Sequence, residues 1–263
     1  MTSSQLTLTP IPALKDNYIW CLAHHAKQQA LIVDPGEAEP ILRYLSHYQL
    51  QLNAILVTHH HADHTAGIAE LKKNYPHTRV IGPANENIPL RTEAAQPGNR
   101  LSLSTLGIEF EVLDIPGHTM GHVAYFNDTW LFCGDTLFSC GCGRIFEGTH
   151  EMMYHSLEKL RNLDDCLLVC CAHEYTLQNI KFAQTVLPDS VQLKAFQEKV
   201  IRQRTLNLPS LPIPLGVEKQ LNPFLNCNQP GVIKAVRYHE KSPKITDPIQ
   251  IFASLREWKN EFS

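Results

Sequence analysis

The sequence predicts a mixed α/β domain followed by a smaller helical domain. Short apolar runs rich in β-branched and aromatic residues recur through the first two thirds of the 263 residues and are typical of strands. Between them lie segments with apolar residues at helical spacing. After His173 the strand pattern stops and helical stretches follow, so the change of domain falls near Tyr175. We therefore predict two domains, 1–174 and 175–263.

The predicted elements follow from these patterns in chain order. The strands are Ile19–Ala23, Ala30–Val33, Ala54–Thr58, Arg79–Gly82, Ile108–Leu113, Val123–Asn127, Trp130–Cys133 and Leu167–Cys171. The helices of the first domain are Glu37–Tyr48, Gly67–Tyr75 and Met152–Leu163. Those of the second are Leu177–Val186, Val191–Arg204 and Ile249–Phe262, with a proline-bearing loop through Pro209, Pro212 and Pro214.

Charge and composition exclude several classes of function. A net charge of -3, from 23 basic and 26 acidic residues, gives no basic stripe for nucleic acid. The first residues lack an export signal and no apolar run is long enough to cross a bilayer, so we expect a cytoplasmic protein without a membrane partner. Reduced thiols are then expected for the eight cysteines, and Cys140 and Cys142 lack a second pair at zinc-site spacing. A monomer is the working expectation.

The segment Thr58-His59-His60-His61-Ala62-Asp63-His64 directly follows an apolar strand and predicts a metal centre. Alternate side chains of an extended segment share a face, so His59 and His61 can converge on one metal while His60 points elsewhere. Asp63 and His64 are adjacent and need a turn to face the same way. That geometry suits a second metal beside the first.

Two metals need more ligands than one segment supplies. Three candidates follow other predicted strands, where loops at one edge of a sheet can meet: His118, Asp135 and His173. For His122 the sequence leaves open a supporting role next to the metals and no role at all. The remaining histidines are expected to do ordinary surface or packing work.

These residues resemble the metallo-β-lactamase superfamily, whose HxHxDH signature matches His59, His61, Asp63 and His64. Further motifs resemble, more narrowly, the glyoxalase II (hydroxyacylglutathione hydrolase) family. They are Ile11-Pro12-Ala13-Leu14-Lys15-Asp16-Asn17-Tyr18, Val33-Asp34-Pro35-Gly36, Gly141-Cys142-Gly143-Arg144-Ile145-Phe146-Glu147-Gly148-Thr149, His173-Glu174-Tyr175 and Asn222-Pro223-Phe224-Leu225. Phe146 and Asn226 depart from this family's pattern, which often has a tyrosine and a basic residue there.

The resemblance implies an αββα sandwich with a smaller C-terminal helical domain that binds substrate. It implies two divalent metal ions, with zinc expected and iron or manganese as alternatives. One metal takes His59, His61 and His118, the other takes Asp63, His64 and His173, and Asp135 bridges both. The matching positions for glutathione binding are Arg144, Tyr175, Arg256 and Lys259.

The implied reaction is hydrolysis of an S-(2-hydroxyacyl)glutathione such as S-D-lactoylglutathione to glutathione and D-lactate, the second step of methylglyoxal detoxification. A hydroxide bridging the metals would be the nucleophile, and Asp63 is a candidate for orienting the water. A persulfide dioxygenase with one iron is the alternative enzyme. A non-enzymatic scaffold of this fold would be expected to have lost ligands, whereas all seven are present.

Overall fold

The computed structural model describes residues 6–262, which divide into two compact units. The first unit comprises the described residues up to Asp114 together with Met120–Gly134. The second comprises Ile115–Thr119 and the described residues from Asp135 onward. These units are not the predicted domains 1–174 and 175–263, and that boundary stays a prediction.

A six-stranded sheet organises the first unit, with its strands in chain order across the sheet. The strands are β1 (Thr7–Ala13), β2 (Asn17–His24), β3 (Gln29–Val33), β4 (Gln51–Leu56), β5 (Arg79–Pro83) and β6 (Glu93–Ala95). The pairs β1–β2 and β2–β3 are antiparallel, whereas β3, β4, β5 and β6 run parallel. In the register of β3 and β4, Val33 lies opposite Leu56. The residues that follow these two strands therefore leave the sheet side by side.

Two helices, α1 (Glu39–His47) and α3 (Ile68–Asn74), cover this sheet through apolar faces at helical spacing. The short helix α2 (Ala62–Thr65) lies between them in the chain. Ile41 and Leu45 of α1 and Ile68 and Leu71 of α3 are fully buried in the same apolar core as the sheet residues. Burial of this apolar surface stabilises the platform from which the segment 58–64 projects.

The first unit also contains four antiparallel strands that are neighbours in the order β10, β9, β8, β7. Their bounds are β7 (Arg100–Leu103), β8 (Ile108–Asp114), β9 (Val123–Phe126) and β10 (Trp130–Phe132). Alternation of buried and exposed residues in β8 shows that one face packs on the core.

The second unit is mainly helical, with two short antiparallel strand pairs. The strands are β11 (Leu137–Phe138), β12 (Gly141–Cys142), β13 (Leu168–Val169) and β14 (Ile213–Pro214). The helices are α4 (His150–Arg161), α5 (Thr176–Val186), α6 (Val191–Thr205), α7 (Leu215–Leu221), α8 (Pro230–His239) and α9 (Pro248–Glu261). Within this unit α4 packs against α9, and α5 packs against α6 and α8.

Six predicted helices and eight predicted strands are present with shifted ends, and α5 begins directly after Tyr175. The sequence analysis predicted α2 only as a turn, and it missed α7, α8, the seven-residue strand β1 and the shorter strands β6, β7, β11, β12 and β14. No disulfide joins the eight cysteines, all of which lie in the described part of the chain. Among residues 6–262, no helix combines the length and hydropathy needed to span a membrane.

Candidate metal centre

The segment after β4 places four metal-binding side chains of the first unit close together. The chain stays extended past the strand, because Val57 N–H donates to the Ile81 carbonyl at 2.9 Å. At His61 it turns into the short helix α2, whose first turn contains Asp63 and His64. The Thr65 hydroxyl donates to the His61 carbonyl at 2.9 Å and fixes this turn. The predicted change from extended chain to turn is therefore present.

The ring nitrogens in this segment face one another at short distances. His59 Nε2 lies 3.1 Å from His61 Nδ1, and His64 Nε2 lies 3.5 Å from Asp63 Oδ2. His59 and His64 are fully buried. His61 and Asp63 are partly exposed. Such a set of imidazole and carboxylate donors suits zinc, iron or manganese.

The tautomer of His59 follows from its neighbours. Thr58 Oγ1 donates its only proton to Asp34 Oδ2 at 2.7 Å. It can therefore only accept from His59 Nδ1, which lies 3.0 Å away. The proton of the His59 ring is thus on Nδ1, and the Nε2 lone pair is available to a metal.

The second unit holds a corresponding cluster around Asp135. Asp135 Oδ2 lies 3.5 Å from His118 Nε2, and Asp135 Oδ1 lies 3.4 Å from His173 Nε2. The Arg144 carbonyl lies 2.7 Å from His118 Nδ1, and a carbonyl can only accept a proton. In its neutral form the His118 ring therefore carries its lone pair on Nε2, toward a carboxylate oxygen. Two lone pairs facing each other are unfavourable until a cation lies between them, so this donor set fits a metal ion.

His60 and His122 have other surroundings in the first unit. His60 Nδ1 lies 3.0 Å from Glu86 Oε2, and the other Glu86 oxygen accepts from Gly121 N–H at 3.1 Å. His122 is fully buried, and its ring stacks on that of His59 with centroids 4.6 Å apart. His122 thus restricts the His59 ring by packing.

Sequence reasoning missed Asp34 and Thr58 as parts of this site. Asp34 directly follows β3, and its carboxylate accepts from both the backbone N–H and the hydroxyl of Thr58 at 2.7 Å. The signal was present in the sequence, because a carboxylate directly follows a buried strand in the Val33-Asp34-Pro35-Gly36 motif.

The four predicted substrate-binding residues lie in the second unit and have different surroundings. Arg144 and Arg256 line one cavity of about 480 Å³, together with the exposed Phe146. Tyr175 is not in that lining, and its ring stacks on His173 with centroids 4.7 Å apart. Lys259 is also outside the lining, and its Nζ lies 5.3 Å from the centres of two phenylalanine rings.

Arg256 is a structural support as well as a cavity residue. It is only 3% exposed, and its Nη1 donates to the Cys142 carbonyl at 2.8 Å. The Gly143 carbonyl lies 3.5 Å from the same atom. Arg256 therefore holds the chain segment that leads to Arg144, whose carbonyl fixes His118.

Replacement of Arg256 by methionine is expected to lower the free energy of unfolding by about 2 to 3 kcal/mol, since buried carbonyls lose a charged donor. Urea unfolding followed by circular dichroism measures the change. Arg202, on α6 and 71% exposed, provides the matched Arg202→Met control, expected to stay within about 0.5 kcal/mol of wild type. Equal losses in the two variants would contradict the supporting role.

Comparison with known families agrees with this fold. Residues 18–173 match the description "Metallo-beta-lactamase superfamily", and residues 174–262 match "Hydroxyacylglutathione hydrolase C-terminus". The chain is thus a metallo-β-lactamase-fold protein, as predicted.

Two curated relatives identify the family of this chain within the superfamily. The hydroxyacylglutathione hydrolase of Nitrosomonas eutropha is 51% identical over 96% of this chain and 98% of its own length. That of Vibrio parahaemolyticus is 49% identical over 98% of this chain and 100% of its own length. The chain belongs to the hydroxyacylglutathione hydrolase family.

A solved structure confirms the fold alone. ETHE1 from Myxococcus xanthus is similar to this chain with a TM-score of 0.64 at 21% identity, over 97% of both chains. The predicted fold class is therefore confirmed, and the family models and curated relatives confirm the predicted family resemblance. The persulfide dioxygenase alternative is less well supported, because the relatives near half identity over nearly the full chain are named hydroxyacylglutathione hydrolase.

Proposed function

We propose that this protein is a thioester hydrolase that cleaves S-(2-hydroxyacyl)glutathione, such as S-D-lactoylglutathione, to glutathione and a 2-hydroxy acid. The observation that carries the proposal is family membership over nearly the whole chain, including the C-terminal family region at residues 174–262. The histidine and aspartate clusters of both units support a hydrolytic metal centre.

Seven side chains would hold two divalent cations. We assign a first cation to His59, His61 and His118, and a second cation to Asp63, His64 and His173. Asp135 is assigned to both, and zinc is the proposed metal. Such cations would lower the pKa of a shared water toward about 7 and stabilise negative charge on the carbonyl oxygen during attack.

The chain's own residues have defined tasks in this reaction. Asp63 is proposed to orient the attacking water, because its side chain is 38% exposed and is held by Asn17 Nδ2 at 3.2 Å. The departing thiolate needs no strong acid from the protein, since a free thiol has a pKa of about 8.5.

Substrate recognition is proposed to rest on positive charge in the second unit. Glutathione carries carboxylates, and Arg144, Arg256 and Lys259 offer cationic donors that suit them. Tyr175 would add a phenolic hydroxyl beside His173. Arg256 Nη1 already donates to the Cys142 carbonyl. Arg144 and Lys259 are therefore expected to provide most of the positive charge that contacts the substrate.

The Michaelis constant should depend on pH through Lys259. Burial, with repulsion from Arg256 as a smaller cause, lowers the pKa of Lys259 to about 8. The ammonium is therefore present below pH 8 and lost as the pH rises through that value. We expect KM for S-D-lactoylglutathione to rise about tenfold between pH 7 and pH 9.5, because the substrate would lose one charge-assisted hydrogen bond.

The Lys259→Arg variant is the control, because a guanidinium stays charged throughout this range. Its KM should remain flat where that of the wild type rises. A parallel rise in both proteins would show that another group titrates.

Two assays on one purified, metal-loaded preparation separate the proposed activity from its alternative. Hydrolysis releases glutathione thiol from S-D-lactoylglutathione without consuming oxygen, whereas a persulfide dioxygenase consumes oxygen with glutathione persulfide. Thiol release without oxygen uptake is expected, and the reverse pattern would overturn the assignment. A cytoplasmic location and a monomeric state remain predictions.

A further inference from the structure

The motif Asn222-Pro223-Phe224-Leu225 has no part in the proposed reaction, although its first residue binds a buried hairpin of the second unit. The hairpin, residues 137–142, consists of β11, the turn Ser139–Cys140 and β12. Cys140 has a φ of 56°, in the left-handed region that costs a non-glycine residue free energy. All six residues are buried, so the polar backbone groups of the turn need hydrogen-bond partners from other segments.

Two asparagine side chains bind the carbonyl groups of the hairpin. Asn179 Nδ2, on α5, donates to the Ser139 carbonyl at 3.0 Å. Asn222 Nδ2 donates to the Gly141 carbonyl at 2.9 Å and to the Phe138 carbonyl at 3.2 Å. Both asparagines are buried. These hydrogen bonds fix the hairpin against the helices of the second unit.

Glu218 of α7 adds a buried carboxyl group to these contacts. Its Oε2 accepts from Cys140 N–H at 2.9 Å and from Asn222 Nδ2 at 3.1 Å. Glu218 is fully buried, and burial raises the pKa of its carboxyl group to about 7. Hydrogen bonds from Cys140 N–H, the Ser139 hydroxyl and Asn222 offset only part of this rise. A carboxyl group in a place that disfavours its charge indicates a specific constraint at this position.

The hairpin holds Phe138 against two residues of the candidate site. The centroid of the Phe138 ring lies 5.8 Å from that of His173 and 5.2 Å from that of Tyr175, and both contacts are edge-on. Phe138 is buried, whereas Tyr175 is half-buried. The Tyr175 ring therefore packs on Phe138 as well as on His173, so the position of the hairpin affects the orientation of Tyr175.

We propose that Glu218 is a positioning residue for substrate binding, which acts through the hairpin and the Phe138 ring to orient Tyr175. The inference rests on the proposed function, because Tyr175 is assigned there to the glutathione thioester. It deepens that function by giving α7 and the Asn222 motif a task in recognition. His173 would also be held by its cation, so a displaced Phe138 ring should disturb Tyr175 more than the metal ligand. The effect should therefore appear in KM rather than in kcat.

Two substitutions at position 218 separate the hydrogen bonds from the volume of the side chain. Glu218→Met keeps a similar size but removes the oxygens that accept from Cys140 N–H. We expect KM for S-D-lactoylglutathione to rise about tenfold, the effect of one lost hydrogen bond to the substrate, with kcat and zinc content within about twofold of wild type. In Glu218→Gln the amide oxygen can accept both hydrogen bonds, so KM should match that of wild type.

Glu198→Met is the matched control, because it makes the same chemical change on α6 at a side chain that is 74% exposed. Its KM should equal that of wild type. Unchanged KM in Glu218→Met, or a tenfold rise in Glu218→Gln as well, would overturn the proposal.

A double-mutant cycle tests the path through Phe138. Phe138→Leu removes the ring that contacts Tyr175 and should itself raise KM about tenfold. If Glu218 acts through this ring, the double variant should also show a rise of about tenfold, whereas independent effects would multiply to about a hundredfold. The hundredfold rise would contradict the proposal. If Glu218→Met does not fold, Glu218→Asp takes its place in the cycle, because it withdraws the carboxyl group from Cys140 N–H by one methylene group.

A spectroscopic measurement follows Tyr175 without catalysis. The chemical shifts of the Tyr175 ring protons depend on the neighbouring rings of Phe138 and His173. In the zinc-loaded protein Glu218→Met should change these shifts and Glu218→Gln should not, and unchanged Tyr175 signals in Glu218→Met would refute the proposed path. Thioester hydrolysis is assayed separately. A protein with the expected Tyr175 signals that leaves S-D-lactoylglutathione intact would refute the proposed function and leave the link from Glu218 to Tyr175 standing.

Discussion

Replacement of Asp135 by asparagine is expected to lower kcat for S-D-lactoylglutathione roughly a thousandfold, equivalent to about 4 kcal/mol of transition-state stabilisation. The carboxylate lies 3.5 Å from His118 Nε2 and 3.4 Å from His173 Nε2, so one side chain meets two predicted ligands. An amide keeps the volume but removes the negative charge that would offset the proposed cations. Zinc per chain should fall below two in the same preparation.

The control for this variant is Asp128→Asn, which makes the same chemical change at an exposed position. It should retain wild-type kcat and zinc content. If Asp135→Asn kept full activity with two zinc ions, the assignment of Asp135 to both cations would be wrong.

Replacement of Gly143 by alanine is expected to destabilise the protein strongly, although it adds only one methyl group. A Cβ atom at Gly143 would overlap the backbone oxygen of Asp135 and lie 3.4 Å from His118 Nδ1. The Asp135 oxygen belongs to the backbone, so it cannot move aside as the end of a flexible side chain can. The backbone of Gly143 is also fixed, because its N–H donates to the Thr136 carbonyl at 3.1 Å. We expect a loss of about 3 kcal/mol in unfolding free energy and weakened zinc binding, measured by urea unfolding and elemental analysis.

Gly231→Ala is the matched control for the added methyl group. Its nearest neighbour would be Leu187 Cδ2 at 3.0 Å, the end of a flexible side chain. Gly231 lies in the first turn of α8, where alanine lowers the entropy of the unfolded chain. This variant should therefore remain as stable as wild type, and an equal loss in both variants would show that the clash with Asp135 is not the cause.

The sequence predicted the long, strongly periodic elements well, because apolar residues must recur at a fixed spacing for one face of an element to pack on the core. The apolar faces of α1 and α3 and the apolar run of β4 are examples. It did not predict α8, although Pro230 lies in the first turn of that helix, where proline is favoured. It did not predict α7 either, a helix of seven residues that directly follows the proline-bearing loop.

The place of the segment 58–64 at the end of a strand was predictable from local spacing, whereas the contacts that orient its side chains and the side chain of His118 were not. The contact of Asp34 with Thr58 depends on the register of two parallel strands. The contact of His118 with the Arg144 carbonyl joins residues 26 positions apart. Neither distance is encoded in a short motif, because both depend on how distant segments pack.

The surroundings of Arg256 and Lys259 also could not be predicted from the sequence and are known only from the structure. Their spacing predicts neighbouring positions on one helix face, typical of a solvated surface when no ligand is considered. Arg256 is instead buried against the Cys142 carbonyl, and Lys259 is half-buried near aromatic rings. Long side chains reach partners that helical spacing alone does not identify.

The central claim is that two cations held by this chain support hydrolysis of a glutathione thioester. The most direct test is a titration of metal-free protein with zinc, in which bound zinc and thiol released from S-D-lactoylglutathione are measured in the same samples. Hydrolysis should increase with bound zinc until two ions per chain are present, and His59→Ala should fail to reach either plateau. A protein that binds two zinc ions and leaves the thioester intact would contradict the account.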